Sequence, residues 1–260
     1  MFDIVINAKN NPKIKEVKSL LTSSKDRKNS GLFVVEGVRL CLDALLSGCE
    51  IENVFCTENC AEKYSEDITT LKEGCKNFYG VSADVLKSIS DTVTPQGVVC
   101  TVKMKQNSFE YEKGKKYIAL DTIQNPDNLG AISRTAEALG LDGMVIFGGC
   151  DIDNPKALRA SMGALFRLPV YICEDLGKEF EKCKDLGIDV LATVPDRDAT
   201  NVVTVDFSKG AVCVIGNEGN GVTQETADSC MHRVRVPMRG RAESLNASMA
   251  AAIIMWELMR

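Results

Sequence analysis

Apolar residues recur with two alternating periods along the first hundred residues. The apolar positions of NPKIKEVKSLL fall on one helical face: Ile14, Val17, Leu20 and Leu21. Further helices are predicted at VRLCLDALLSG and ADVLKSIS, and strands at LFVVEG, IENVFCT and GVVCTVKM. Because helices alternate with strands, this region predicts an α/β sandwich.

A polar segment without a clear period, residues 106–116 (QNSFEYEKGKK), is the predicted linker. We therefore divide the chain into an N-terminal domain of residues 1–107 and a C-terminal domain of residues 108–260. Four apolar runs in the second domain predict strands: YIALD, GMVIFGG, IDVLATVP and AVCVIGNEG. The pattern again indicates an α/β fold.

The last predicted helix, from about Glu243 to Met259, is apolar on almost every face. Ser244 or Asn246 can cap its start. A helix without a polar face must be buried, and its alanines allow another backbone to approach closely. A subunit interface explains this pattern better than the surface of a monomer.

Composition narrows the class of protein. The chain has 260 residues, 45% hydrophobic and 26% charged, with a net charge of -5. Between Lys9 and Lys28, however, there are seven basic residues and two acidic ones, which gives this segment a local charge of +5. The first ten residues lack a signal-peptide pattern, and the longest apolar stretch is shorter than the roughly 20 residues that span a membrane. We therefore expect a cytoplasmic protein without a membrane anchor.

Eleven cysteines and a single histidine limit the metal and disulfide chemistry. The number of cysteines is odd and no C-x-x-C motif occurs, so reduced thiols in the cytosol are the simplest interpretation. One histidine leaves little for a mixed Cys/His site, and we expect no metal.

The stretch QNPDNLGAISR combines a polar loop with an arginine inside a predicted helix. Asn128 is the predicted N-cap, Leu129 and Ile132 belong to the apolar stripe, and Gly140 ends the helix. Arg134 lies about 200° around the helix from Ile132, so it does not face the core. A solvated surface arginine and an arginine directed at a ligand both remain possible interpretations.

The stretch VIGNEGNG carries three glycines after an apolar strand. Its spacing matches neither a dinucleotide-binding nor a P-loop fingerprint, so a tight turn and a ligand loop both stay open. Glu218 in its middle would repel phosphate, which favours a cationic or hydroxyl-bearing ligand.

Three ordered motifs resemble those of the SpoU/TrmH family of RNA 2'-O-ribose methyltransferases, within the SPOUT superfamily. They are NPDNLGAISRTAEALG, VIGNEGNGV and VPMRGRAESLNASMAAAI, and RASMGALFRLPV at 159–170 fits as well. Upstream, FVVEGVRLCLDAL and TPQGVVC are similar to the family's N-terminal substrate-binding domain. The resemblance covers nearly the whole chain.

The resemblance implies an α/β C-terminal domain with a deep trefoil knot, a smaller N-terminal α/β sandwich that binds RNA, and a homodimer formed through the C-terminal domain. It implies S-adenosylmethionine (AdoMet) as cofactor. The implied catalytic residues are Arg134, Asn128, Glu218, Ser244 and Asn246. The implied cofactor-binding residues are Thr193, Ile215, Gly216, Asn217, Gly219, Val236, Met238, Ser244, Leu245 and Asn246.

The chemistry of ribose methylation fits these residue types. A 2'-hydroxyl is a poor nucleophile until its proton is removed or its developing charge is stabilised. Arg134 is the family's catalytic arginine and is often proposed as the base. A guanidinium normally stays protonated, so we assign it first to orientation and alkoxide stabilisation.

The basic N-terminal region suits an RNA-binding surface whose affinity falls with salt. The candidate RNA-binding residues are Lys13, Lys18, Lys25, Arg27 and Lys28. The separate N-terminal domain favours ribosomal RNA (rRNA) over transfer RNA as the substrate. Three alternatives remain: a non-catalytic RNA-binding or ribosome-assembly protein, a tRNA-directed enzyme, and an rRNA methyltransferase that confers antibiotic resistance.

Overall fold

The apolar runs of the sequence form the strands of two sheets in the computed structural model, which describes residues 2, 4–105 and 109–260. The strands are β1 (Ile4–Ile6), β2 (Leu32–Glu36), β3 (Ile51–Cys56), β4 (Cys75–Val81), β5 (Val98–Lys103), β6 (Lys116–Asp121), β7 (Gly143–Phe147), β8 (Val170–Cys173), β9 (Asp189–Thr193), β10 (Thr200–Asn201), β11 (Ala211–Ile215) and β12 (His232–Arg235). The helices are α1 (Pro12–Thr22), α2 (Ser24–Ser30), α3 (Val38–Leu46), α4 (Glu58–Lys63), α5 (Ser65–Gly74), α6 (Ala83–Lys87), α7 (Pro126–Leu139), α8 (Pro155–Ser161), α9 (Ala164–Arg167), α10 (Leu176–Asp185), α11 (Gln224–Ser229) and α12 (Ala247–Met259).

The chain divides into two units. The first combines Met1–Gln106 with Asp151–Phe166, and the second combines Asn107–Cys150 with Arg167–Arg260. The predicted domain boundary between residues 107 and 108 lies outside the described residues, so it stays a prediction. Residues 151–166, which the sequence pattern grouped with the C-terminal domain, pack within the first unit.

The sheet of the first unit has the strand order β1-β4-β3-β5-β2. β1, β4 and β3 are parallel, whereas β5 is antiparallel to both of its neighbours. The predicted stripe of α1 is buried in the core that also holds Phe55 and Tyr79. The helix NPKIKEVKSLL and the strands LFVVEG, IENVFCT and GVVCTVKM are therefore confirmed.

A buried ion pair ties residues 151–166 to the first unit. Arg27 is 2% exposed, and its Nε and Nη2 donate to Asp151 Oδ2 at 2.9 and 2.7 Å. Its Nη1 donates to the carbonyl oxygen of Leu20 at 2.7 Å. The prediction that Arg27 contacts RNA is corrected, because this guanidinium is buried and paired with a carboxylate.

The sheet of the second unit is parallel throughout, in the order β10-β12-β9-β11-β6-β7-β8. β7 and β8 lie on one side of β6, and β9 to β12 lie on the other. The strand order therefore reverses between β6 and β11. In open α/β sheets, ligands bind beyond the carboxyl ends of the strands at such a reversal. The α/β class predicted for this region is confirmed.

Helix α12 differs from its prediction. It starts at Ala247 after the cap Asn246, which is one of the two predicted caps. One face is buried, but Met249 and Trp256 are 62% and 61% exposed and Ile253 is 38% exposed. Within the single chain, α7 and β11 cover only one side of the helix, so the predicted burial at a subunit interface stays a prediction.

Two further features concern cysteines and membranes. All eleven cysteines lie within the described ranges and carry free thiols, and eight of them are buried. Among the described residues there is no group of three His, Cys, Asp or Glu side chains suited to a metal ion. Residues 2, 4–105 and 109–260 also contain no helix with the length and apolarity needed to cross a bilayer.

The buried ion pair gives a stability prediction. Replacing Arg27 with Met (Arg27→Met) removes the buried guanidinium that donates to Asp151 Oδ2 and to the carbonyl oxygen of Leu20, so we expect the free energy of unfolding to fall by about 3 kcal/mol. Urea titration followed by circular dichroism measures this. The adjacent residue Lys28 is exposed, so Lys28→Met should change the value by less than about 0.5 kcal/mol. Equal stability of the two variants would show that the pair contributes nothing.

Candidate active site

Helix α7 begins three residues earlier than the sequence predicts. Asn125 is the cap, because its Oδ1 accepts from the backbone N of Asp127 at 2.8 Å and Pro126 occupies the first helical position. Proline suits that position, where its fixed φ is helical and no N–H is needed. The prediction that Asn128 caps the helix is therefore wrong. Gly140 ends the helix in the left-handed region, as predicted.

Asn128 joins two other motifs instead of capping its own helix. It is 6% exposed, and its Nδ2 donates to Glu218 Oε1 at 3.0 Å. Its Oδ1 accepts from Asn246 Nδ2 at 3.1 Å. The Asn246 Oδ1 in turn caps α12 by accepting from the backbone N of Ser248 at 2.9 Å. Three segments far apart in sequence thus meet in one line of hydrogen bonds.

The Glu218 carboxylate is the acceptor at the end of this line. Besides Asn128, it accepts from the backbone N of Gln124 at 3.1 Å and of Asn125 at 2.9 Å. Partial burial by itself would raise the pKa of Glu218, but these hydrogen bonds outweigh it and hold the pKa below its usual value. Glu218 therefore accepts hydrogen bonds from donors of its own chain.

The glycine loop is a tight turn. Asn217 and Gly221 exchange backbone hydrogen bonds of 2.9 Å in both directions. The Asn217 Oδ1 accepts from the backbone N of Gly219 at 2.9 Å, and its Nδ2 donates to the carbonyl oxygen of Thr122 at 2.9 Å. A Cβ on Gly216 would lie 2.0 Å from the backbone of Gly221, so only glycine fits there.

The same turn also lines a cavity of about 440 Å³ at the carboxyl ends of β9, β11 and β12. Every predicted cofactor-binding residue except Asn246 lines it: Thr193, Ile215, Gly216, Asn217, Gly219, Val236, Met238, Ser244 and Leu245. The Thr193 hydroxyl is buried without a hydrogen-bond partner among the described residues. The glycine loop is therefore a tight turn that also lines the cavity, and its role as a ligand loop stays a prediction.

Sequence reasoning missed several residues of this wall. They include Pro195 and Asp196 after β9, Arg233 on β12, and Ala250 on α12. The sequence could have indicated Pro195 and Asp196, because they lie at and directly after the end of the predicted strand IDVLATVP. Parallel strands end at one edge of a sheet, where ligands bind. Arg233 offered no such signal, since its place depends on β12 pairing with β9.

Two of the predicted catalytic residues stand apart from the hydrogen-bonded line. Arg134 is exposed and has no hydrogen bond or ion pair within the part of the chain that the structure describes. Ser244 is exposed at the cavity. The structure therefore joins Asn128, Glu218 and Asn246, but it does not join Arg134 to them.

The predicted RNA-binding lysines all lie in the first unit. Lys25 and Lys28 are exposed, and Lys18 is half-buried. The ammonium of Lys13 lies 5.1 Å from the centroid of the Tyr79 ring, so this lysine is partly held by a cation–π contact.

The sequence matches two family profiles. The SpoU rRNA Methylase family matches residues 115–256, and an MRM3-like substrate binding domain matches residues 11–100. The first match covers more than half of the chain. It includes β6 to β12 and the whole line of hydrogen bonds from Asn128 to Asn246.

Relatives along the full length carry related names. An uncharacterized tRNA/rRNA methyltransferase from Synechocystis is 32% identical, covering 98% of this chain and 93% of its own. The 23S rRNA (guanosine(2553)-2'-O)-methyltransferase of Bacillus subtilis is 31% identical over 97% and 98% of the two chains.

Solved structures of two methyltransferases are similar to this structure over nearly the whole chain. The AdoMet-bound rRNA methyltransferase from Sinorhizobium meliloti has a TM-score of 0.87 at 28% identity, covering 98% of this chain and 96% of its own. The SpoU methyltransferase AviRb from Streptomyces viridochromogenes, in complex with AdoMet, has a TM-score of 0.86 at 27% identity, covering 96% and 97%. The chain therefore belongs to the SpoU rRNA methylase family.

Proposed function

We propose that this protein is an AdoMet-dependent methyltransferase that methylates a ribose 2'-hydroxyl in structured RNA, with rRNA as its substrate. The observation that carries the proposal is the cavity at the carboxyl ends of β9, β11 and β12, which the second and third motifs line together. The full-length similarity to an enzyme named as a 23S rRNA 2'-O-methyltransferase supports both the reaction and the substrate class.

The donor set of the cavity suits AdoMet. The unpartnered Thr193 hydroxyl offers a hydrogen bond, and the tight turn at Gly216 brings backbone close to a ligand. Val236 and Leu245 offer apolar surface for an adenine ring. Bound AdoMet supplies a methyl group that is already activated by its sulfonium charge. The proton of the 2'-hydroxyl passes to solvent water, so the remaining tasks of this chain are to position the ribose and to stabilise its developing negative charge.

Arg134 carries the second of these tasks in our proposal. Its guanidinium is exposed and has no internal carboxylate partner among the described residues, so its charge is available to an alkoxide. Glu218 has a different role, because Gln124, Asn125 and Asn128 all donate to its carboxylate. We therefore assign Glu218, with Asn128 and Asn246, to positioning the loops. Ser244, at the cavity wall, completes the polar set.

Four further expectations belong to the same proposal. The family resemblance implies a deep trefoil knot in the C-terminal domain, and the full-length agreement with SpoU methyltransferase structures supports it. The exposed apolar face of α12 supports a homodimer through this domain. The free thiols of all eleven cysteines support a reducing, cytoplasmic location. The residues 1–107 that precede the predicted boundary would bind the RNA.

Incubating the protein with labelled AdoMet and total rRNA tests the function. We expect label in 2'-O-methylribose after complete digestion of the RNA. Absence of label, with RNA binding retained, would favour a non-catalytic RNA-binding protein.

Removing the guanidinium should separate binding from chemistry. We expect Arg134→Ala to lower the rate of methyl transfer by roughly 100-fold to 1,000-fold, the usual effect of losing one charge-stabilising donor. Calorimetry should show unchanged AdoMet affinity. Lys209→Ala removes an exposed cation before the amino end of β11 and should leave the rate unchanged. Normal turnover by Arg134→Ala would contradict the assigned role.

Changing the carboxylate should act on the cofactor cavity rather than on the chemical step. In Glu218→Gln an amide NH₂ must face a donor of Gln124, Asn125 or Asn128, so we expect the AdoMet dissociation constant to rise about 10-fold. Glu225→Gln, at an exposed site on α11 outside the cavity lining, serves as the control. Unchanged AdoMet affinity together with slower methyl transfer would assign Glu218 to the chemistry instead.

The dimer proposal makes its own prediction. Trp256→Glu places a charge on the exposed apolar face of α12, so the dimer dissociation constant should rise by at least about 30-fold in analytical ultracentrifugation. Leu46→Glu adds the same charge at a residue that is 72% exposed in the first unit and should leave the dimer intact. A dimeric Trp256→Glu protein would show that the subunits associate elsewhere.

A further inference from the structure

A second cavity lies within the first unit and shares no lining residue with the candidate active site. It has a volume of about 370 Å³, within the range of about 300–1,000 Å³ found for small-molecule sites. Its walls come from the start of α3, the loop before β5, and α8 with the residue that follows it. Nothing in the proposed methyl transfer uses it.

The charged groups that line this cavity are balanced. Arg39 and Arg159 contribute guanidinium groups, while Glu36 and Asp43 contribute carboxylates. A phosphate site needs an excess of positive charge, because nearby carboxylates repel the anion. The balance therefore favours a neutral ligand with polar edges.

Glu36 acts as part of the scaffold. It is 9% exposed, and its carboxylate accepts from the backbone N of Asp91 at 2.9 Å and from the hydroxyls of Ser90 and Thr92. These bonds fix residues 90–92, of which Thr92 forms part of the cavity wall. Because the wall is held by the protein itself, the cavity is formed before any ligand arrives.

Arg159 has one donor group without a partner. Its Nη2 donates to Asp91 Oδ2 at 2.6 Å, which fixes the guanidinium. Its Nη1 is buried and has no acceptor within the described part of the chain. Buried donors are normally paired, and an acceptor on a ligand in this cavity would supply the missing partner.

Gln96 provides a second fixed donor. Its Oε1 accepts from the backbone N of Val38 at 3.0 Å, at the start of α3, where Gly37 has no side chain to cap the helix. Since the oxygen must face that N–H, the Nε2 group is the side that remains for a ligand. A larger residue at position 37 would crowd the amide, because a Cβ there would lie 3.1 Å from Oε1.

Apolar surface completes the cavity. Leu40 and Met162 line it, and Met162 is 41% exposed. Met162 is the C-cap of α8, and its left-handed φ of 51° ends the helix there. A thioether packs well against the edge of an aromatic ring.

We propose that this cavity holds one unpaired nucleobase of the RNA substrate, and that Arg159 and Gln96 read acceptor atoms on its edge. The proposal rests on the proposed function. Proteins read single-stranded RNA from bases that leave the stack, pack on side chains or guanidinium planes, and are hydrogen-bonded at their edges. Guanine offers two neighbouring acceptors, O6 and N7, to two donors. The site is thus a specificity site for guanine, separate from the cavity for methyl transfer.

The test uses the full chain and four ten-nucleotide oligouridines with a central G, A, C or U, measured by fluorescence anisotropy. The wild type should bind the G oligomer about 10-fold more tightly than the all-uridine one. Arg159→Lys keeps the charge but loses the guanidinium, and Gln96→Glu keeps the acceptor for Val38 but loses the donor. Both variants should lose the preference for G.

Salt dependence separates a base contact from a phosphate contact. Arg159→Gln removes the charge and should still leave the slope of log affinity against log salt unchanged, whereas losing a phosphate contact lowers the magnitude of that slope by about 0.7 on single strands. Lys28→Met, on the exposed basic surface, should keep the preference for G. Loss of that preference in Lys28→Met, or its retention in both Arg159→Lys and Gln96→Glu, would overturn the proposal.

The wild-type protein provides the last decisive outcome. Equal binding of all four oligomers, or binding of none, would also overturn the nucleobase site. Methyl transfer from labelled AdoMet to rRNA is measured in parallel with the same preparation. Transfer without base preference would refute this site and leave the proposed function intact, whereas absence of transfer would refute the function itself.

Discussion

The hydrogen bonds that Glu218 accepts connect loops that a parallel sheet leaves unconnected. Parallel strands place their following loops at one edge, where no ladder bonds them to each other. Glu218, just after β11, binds the backbone of residues 124 and 125 just after β6. Through Asn128 it reaches Asn246, where α12 begins. The shape of the cavity depends on these bonds, because the glycine loop and the start of α12 both form its wall.

Because of these hydrogen bonds, the polar residues of the site have different roles. A carboxylate near a reacting hydroxyl invites the role of base, but Glu218 already accepts three hydrogen bonds that favour its ionised form. The side chain of Asn217 is likewise occupied by internal hydrogen bonds, to the backbone of Gly219, Asn220 and Thr122. Arg134 differs from both, since within the described residues it has no internal partner. Positioning and charge stabilisation thus fall to different side chains.

Local signals in the sequence sufficed for the elements and for most of the cavity wall. The helical stripe of α1, the apolar run YIALD and the stop at Gly140 each depend on neighbours within one turn or one strand. The wrong predictions concern residues whose position depends on packing between segments that are far apart in the sequence. Arg27 looked like one more surface cation of α2, and only the return of Asp151 to the first unit buries it. Asn128 met every local rule for a cap, but Pro126 starts the helix earlier and frees Asn128 to bind Glu218.

Each of the two cavities is lined by a residue that has a buried polar group without a hydrogen-bond partner among the described residues. Leaving a buried donor or acceptor unpaired is costly, so such groups are rare unless a ligand or water completes them. Two of those within the described residues, Thr193 Oγ1 and Arg159 Nη1, belong to residues that line a cavity. Thr193 lies in the region that the family profile matches, at the end of β9. Arg159 also lies in that region, but its segment packs in the first unit. The segment that carries Arg159 thus lies between the catalytic motifs in the sequence, but it forms part of a cavity wall in the first unit. This is the unit that we expect to bind the RNA.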